Sequence, residues 1–408
     1  LAKKRLTILQ IIPELDTGGA ERTTVEMAEA IVKAGGRAIV LSEGGRLSAE
    51  VEAAGGEMIH FPAATKNPLR ILANARTIAH MIKSEGVDLV HARSRAPAWS
   101  AYLAARRTHT PFVTTYHGIY NEKGHAKRAY NSIMAKGDLV IANSAYTARI
   151  VRQRYGIDPS RIIVVNRGVD VDRFDRARVT QERIAALCQA WDVTPEHRVI
   201  LHPARLTRWK GQSVVVDALA GLKRSSAIDK IVFVFAGDAQ GRDNYVAGLK
   251  TQIAAAGLED HVRLVGHVTD MPAALAASDI VLIASIEPEA FGRTSVEAQA
   301  MGKPVIATSI GAPPDTVLAP PHVATAEATG RHVTPADAQA LAAAITELLS
   351  FGPDERQAMA DRARKNARNN YTTRALQYAT LQVYDQLLGT GMAQHFTDVT
   401  TAPAPPSS

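Results

Sequence analysis

The sequence predicts two α/β lobes, each built on a parallel β-sheet with helices on its faces. Three observations carry this expectation. The chain has 408 residues, more than one hydrophobic core ordinarily organises, so two domains are the natural division. Short apolar runs alternate with amphipathic segments along most of its length, the signature of repeated strand–helix–strand units. The alternation lapses across 170–197 and starts afresh at Val199.

The elements follow in order. Residues 6–12 are short and apolar, a buried strand, and 21–34 have helical spacing that stops at Gly35-Gly36. Strand 37–41, helix 47–54 and strand 57–61 come next, the last ended by Pro62. Helix 69–84 stops near Gly86, followed by strand 89–91, helix 98–107 and strands 112–116, 139–142 and 162–165. In the second lobe strands are expected at 199–202, 231–236, 262–264, 280–284 and 305–307. Its helices are expected at 212–222, 245–256, 271–277, 335–351 and 354–369. Residues 371–388 read as a final amphipathic helix. The expected divisions are therefore 1–175, 176–370, a C-terminal helix at 371–390, and a disordered tail at 391–408, where Thr, Ala, Pro and Ser dominate the end.

Composition narrows the function. Hydrophobic content of 46% against 21% charged residues is that of a globular protein. A net charge of +7 favours an anionic partner, such as a nucleotide sugar or an anionic lipid surface. No zinc pattern, RNP-type motif or basic tail points to nucleic acid. The single cysteine, Cys188, excludes an intrachain disulfide and fits a reducing compartment. No run of about 18 apolar residues is present, so no transmembrane helix is expected. Lys3-Lys4-Arg5 precedes too short an apolar run for a signal peptide. A cytoplasmic protein is the expectation.

In open parallel sheets, ligands bind beyond the C-terminal ends of the strands, and the motifs fall there. The most informative runs from Glu289 to Glu297, with Phe291, Gly292, Thr294 and Ser295 between. It closes a strand and opens a helix. Backbone N–H groups at such a turn suit phosphate, and the two carboxylates suit hydroxyl groups at either end of a sugar diphosphate. Upstream, Ala204-Arg205-Leu206-Thr207-Arg208-Trp209-Lys210-Gly211 places Arg205 and Lys210 where they can converge on phosphate oxygens. Thr17-Gly18-Gly19-Ala20-Glu21-Arg22 opens the first helix: a tight turn, or a glycine-rich loop facing phosphates.

Together these segments resemble the retaining glycosyltransferases of the GT-B fold, family 4 (glycosyl transferases group 1), including bacterial lipopolysaccharide and exopolysaccharide enzymes. The resemblance runs from about residue 6 to about residue 388 and rests chiefly on Arg205, Lys210, Glu289 and Glu297. It implies two Rossmann-like lobes facing across a cleft, with the C-terminal helix returning to the first. It implies a UDP-, GDP- or ADP-linked sugar as donor, a hydroxyl acceptor, possible peripheral membrane contact, and no metal or other cofactor. Arg205 and Lys210 then stabilise the departing diphosphate, Glu289 the sugar and Glu297 the ribose, with Gly18, Gly19 and Val268 also on the donor side. His117, in Tyr116-His117-Gly118, is expected near the reacting carbon, and Asn143-Ser144 near the cleft floor. His91, Arg93, Arg95 and Arg167 are expected on the acceptor side; Arg167 stands where the family usually has Asn. Asp170-Val171-Asp172 reads as a chance match to a metal motif of another fold. Lys123 to Lys136 would give a helix with a basic face, either docked on a membrane or simply solvated. The rival readings are a catalytically silent nucleotide-sugar-binding subunit and a sugar-nucleotide epimerase.

Overall fold

The computed structural model describes residues 5–16, 18–120, 122, 124–225 and 228–401. Lys3, Lys4, Thr17, Lys123 and residues 402–408 lie outside the described residues. The chain divides into two compact units: residues through Arg167 together with those from Thr373 onward, and Gly168–Thr372.

The sheet of the first unit has β1 (Thr7–Ile11), β2 (Arg37–Ser42), β3 (Glu57–His60), β4 (Leu89–Ala92), β5 (Phe112–Tyr116), β6 (Leu139–Ala142) and β7 (Ile162–Val164). They lie in the order β3-β2-β1-β4-β5-β6-β7, all parallel. A strand covered on both faces is buried at successive positions and mostly apolar, as β1, β4, β5 and β6 are; among their polar members, Gln10, His91 and Thr114 are hydrogen-bonded. The pleat sorts their side chains into two cores: Leu9, Val90 and Phe112 on one face, Ile8, Leu89 and Val113 on the other.

Helix Thr373–Leu388 completes the second of these cores. Gln377 Nε2 donates to the Glu26 carbonyl at 2.7 Å, tying it to helix Gly19–Lys33. Of the tail expected to be disordered, Met392–Thr401 is instead a helix. Met392, Ala393 and Phe396 bury one face of it, and the Asp385 carboxylate accepts from the N–H groups of Met392 and Ala393 at 2.8 and 2.9 Å. The chain also leaves the first unit at Arg167 rather than at 175.

The second unit repeats the plan with β8 (Arg198–His202), β9 (Ile231–Ala236), β10 (Val262–Gly266), β11 (Ile280–Ile283), β12 (Val305–Thr308) and β13 (Gly330–Val333). The order is β10-β9-β8-β11-β12-β13, again parallel. Residues 170–197, read as a joining segment, contain helix Gln181–Ala190 within this unit. Arg183 fastens it through a two-pronged contact to Asp270, at 2.8 and 2.7 Å. In both sheets the first strand of the unit lies beside the fourth, β1 beside β4 and β8 beside β11. Successive crossovers therefore diverge at that point, which is where open parallel sheets of this kind bind ligands.

Candidate functional site

In the second unit, the loop after β8 ends in a 3-10 turn at Arg208–Lys210 and then helix Gln212–Arg224. It meets the loop after β11 without clearance. A Cβ on Gly211 would lie 1.9 Å from the Ala284 carbonyl oxygen, so only glycine fits there. This approach brings Lys210 to Glu289: Nζ donates to Oε1 at 2.7 Å, with the side chains 16% and 11% exposed. Ser285 Oγ donates to the same oxygen. Trp209 lies under the ammonium, its ring centroid 4.3 Å from Nζ. An ion pair this sheltered is fixed by several contacts, unlike a solvated surface pair.

Glu297 sits in helix Arg293–Ala300, its Oε1 3.4 Å from Arg293 Nε one turn earlier. Gly292 is buried at the start of that helix; Thr294 and Val268 are half-buried. Phe291 turns into the core, edge-on to Tyr371, so its side chain faces no ligand. The expected help from the Ser295 N–H is corrected, since that group donates to the Gly292 carbonyl at 3.0 Å. Ser295 Oγ makes a second bond to the same carbonyl, at 2.6 Å. Arg205 is exposed and stands apart from the ion pair, reaching Gln240 Oε1 at 3.3 Å.

One residue of this site escaped the sequence reading. His202 ends β8, fully buried, with Nδ1 3.0 Å from the Leu282 carbonyl oxygen and Nε2 3.0 Å from that of Lys210. Burial above all lowers its pKa to about 4, and the Lys210 charge adds to this. A neutral ring carries one N–H, so it donates to one of these two carbonyls and packs between the Lys210 backbone and β11. The available signal was a histidine closing an otherwise apolar strand just before the basic motif.

In the first unit, three separate segments meet. Gly19 opens its helix with no side chain, and a Cβ there would lie 1.4 Å from Arg167 Nη1. Arg167 Nη2 donates to His117 Nδ1 and to the His117 carbonyl, both at 3.1 Å. Asn143 Nδ2 donates to that carbonyl at 3.2 Å. Burial first, then the Arg167 charge, holds His117 well below the usual histidine range. Its Nε2 is buried with no partner among the described residues.

Two acceptor-side expectations are corrected. β4 is an interior strand, so its side chains face packed layers. His91 is fully buried, with Tyr384 Oη and Thr115 Oγ1 each 2.7 Å from a ring nitrogen. Arg93 is 2% exposed, and its Nε and Nη2 donate to Gln10 Oε1 at 2.8 and 2.5 Å. Arg95 is half-buried, stacked 4.0 Å from the Tyr120 ring centroid and bonded to Asn131 Oδ1 at 2.7 Å. Asp170 Oδ1 accepts from the N–H groups of Asp172 and Arg173, both at 3.0 Å, which is a turn cap.

The basic segment is a helix only over His125–Asn131, followed by a 3-10 turn at Ser132–Ala135 that buries Ile133 and Met134. Lys127, Arg128 and Lys136 are exposed. Residues 95–167 carry twelve Arg and Lys against three Asp and Glu, more surplus charge than the whole chain's +7.

Two parallel α/β units, each with its first strand beside its fourth, define a tandem Rossmann-like architecture. Residues 17–173 match Glycosyltransferase Family 4, and 188–368 match Glycosyl transferases group 1. The crystal structure of a glycosyltransferase from Rickettsia africae ESF-5 aligns with a TM-score of 0.86 at 39% identity, covering 95% of this chain and 100% of that one. The chain belongs to glycosyltransferase family 4 and has the GT-B fold. HepE of Anabaena, solved in complex with UDP and glucose, aligns with a TM-score of 0.79 at 25% identity, again over 95% and 100% of the two chains. The D-inositol 3-phosphate glycosyltransferase of Salinispora tropica is 30% identical over 252 residues, 57% of this chain and 52% of that protein. The match thus spans about half the length of that relative.

Proposed function

We propose that this protein transfers a sugar from a nucleotide-sugar donor to a hydroxyl acceptor, with retention of anomeric configuration and without a metal ion. The observation that carries the reading is the sheltered Lys210–Glu289 pair, beside the helix that holds Glu297. Lys210 neutralises the diphosphate as the bond from the anomeric carbon to phosphate breaks. Arg205, exposed and held only by a 3.3 Å contact, swings from Gln240 to the same oxygens. Glu289 holds sugar hydroxyls and Glu297 the ribose. The acceptor oxygen bonds the anomeric carbon on the face the phosphate leaves, and its proton passes to the departing phosphate oxygen. The carboxylates are therefore not the acid and nucleophile of a glycoside hydrolase. With two cations for the diphosphate, a divalent ion has no task.

UDP is the first nucleotide to test, because HepE was solved with it. The acceptor is an anionic glycolipid or a growing surface polysaccharide or lipopolysaccharide. The twelve cations of residues 95–167 support it, and so does the phosphorylated cyclitol in the name of the Salinispora relative. The same charges support peripheral contact with an anionic membrane from the cytoplasmic side. No helix of the described residues is long and apolar enough to cross a membrane.

The test is thermal stabilisation by UDP, GDP and ADP, with and without EDTA, on the wild type and on Glu297→Ala. Stabilisation by one nucleotide, unmoved by EDTA and lost in the variant, is expected. Strict dependence on a metal, or no response to any nucleotide, overturns the reading.

A further inference from the structure

A cavity of about 370 Å³ in the second unit takes no part in the proposed reaction. Arg198 opens β8, Asp279 directly precedes β11, and Lys303 lies just before β12. The cavity is thus at the N-terminal ends of these strands, whereas Lys210 and Glu289 follow C-terminal ends. Arg176, Arg356 and Arg364 complete its charged wall.

These cations are anchored. Arg356 Nη1 donates to the Phe351 carbonyl at 2.6 Å and Arg176 Nη1 to that of Val179 at 2.9 Å. Arg364 lies flat on Gly302, where a Cβ would come within 2.0 Å of Nη1. Lys303 Nζ donates to the carbonyls of Ala276 and Ser278 at 2.9 and 2.6 Å. Burial lowers its pKa to about 8; Asp279 opposes the shift, and Arg176 and Arg364 add to it.

Negative charge is short. Asp279 is shared between Arg198 Nη1 and the Val199 N–H, both at 2.8 Å. Asp361 pairs with Arg364 at 2.5 Å. Among the described residues Arg198 and Arg364 are ion-paired, while Arg176, Arg356 and Lys303 are held by backbone carbonyls; Asp354 and Glu355 lie in the first turn of the adjoining helix. The long helix Pro353–Asn370 begins at the same place, and its own Glu355 accepts from the Gly352 N–H at 2.8 Å. Anchored guanidinium groups with unused donors around a half-open cavity select a multivalent oxyanion.

We propose that this cavity binds a phosphate-bearing small molecule at a site separate from the glycosyl donor. The ligand's phosphate oxygens bridge Arg176, Arg356 and Arg364, and its remaining part lies against Phe351.

The test is thermal melting with inorganic pyrophosphate on the wild type, Arg176→Gln/Arg356→Gln and Lys210→Ala, with sodium chloride matched for ionic strength. Pyrophosphate is expected to stabilise the wild type and Lys210→Ala. In the double variant its half-saturating concentration should rise roughly tenfold or more, as expected for the loss of a charged hydrogen bond. UDP should still stabilise the double variant, so failure of the donor reading is seen separately. A pyrophosphate response equal in wild type and double variant overturns the proposal. So does one matched by chloride, lost in Lys210→Ala, or absent from the wild type.

Discussion

Arg167 donates to His117 Nδ1 at 3.1 Å, and this contact fixes which ring nitrogen carries the proton. A guanidinium stays charged and can only donate, so Nδ1 holds the lone pair and Nε2 the hydrogen. Nε2 is thereby a buried donor without a partner among the described residues, suited to an oxygen of the donor sugar. Arg167→Met frees the tautomer. It should lower kcat/KM by about 10²-fold, within the range for loss of a preorganised hydrogen-bond donor. Ring nitrogen chemical shifts of His117 would check the cause; shifts unchanged by the substitution would refute it.

Lys210→Met removes the cation facing Glu289. We expect kcat to fall by about 10²–10³-fold, as when a charge-stabilising donor is lost. Leaving Glu289 sheltered and unpaired should also cost about 3 kcal/mol of stability. Glu289→Gln in the same background should restore the stability but not the rate, measurable by urea unfolding beside steady-state kinetics.

Acid should loosen the protein well above the carboxylate range. His91, His117 and His202 are buried with depressed pKa values, His202 at about 4 against an ordinary 6.5. Between those limits the unfolded chain binds protons that the folded one refuses, so stability falls as pH drops below about 6.5. Each histidine contributes about 1.4 kcal/mol per pH unit within its window. Urea midpoints at pH 7.5 and 5.5 should differ accordingly, and His202→Gln should flatten the slope.

Tyr384→Phe strips one hydrogen bond from His91, at 2.7 Å in a fully buried setting. A loss of about 1–3 kcal/mol is expected. Hydrogen exchange should quicken in Thr373–Leu388 and β4 and stay unchanged across β8 to β13.

How much the sequence discloses depends on what each residue packs against. Phe112–Tyr116, Leu139–Ala142 and Ile231–Ala236 are legible to the residue because interior parallel strands are short runs of apolar, β-branched and aromatic residues. β13 is not, because Gly-Arg-His-Val at an edge needs no such run. Helix Met392–Thr401 hides behind a threonine-rich composition, its burial resting on three residues and on an aspartate from the preceding helix. The Lys210–Glu289 pair could be anticipated from two motifs that both follow strands. The burial of His91 and Arg93 could not, since a polar residue in an interior strand looks the same whether it meets a ligand or a glutamine from the next strand. Arg167 beside His117 joins positions fifty apart, and only the third dimension supplies that contact.

The first unit draws on chain from both sides of the second. A ribosome delivers Gly168–Thr372 as one uninterrupted stretch, which can therefore fold as it emerges. β1 to β7 must meanwhile wait, with the groove over helix Gly19–Lys33 uncovered, until Thr373–Leu388 arrives. During that interval all seven strands are in place, but the core that Leu376, Leu381 and Tyr384 complete stays open. Slow translation or a premature stop just beyond residue 372 would leave a finished Gly168–Thr372 unit tethered to one that lacks its covering helices.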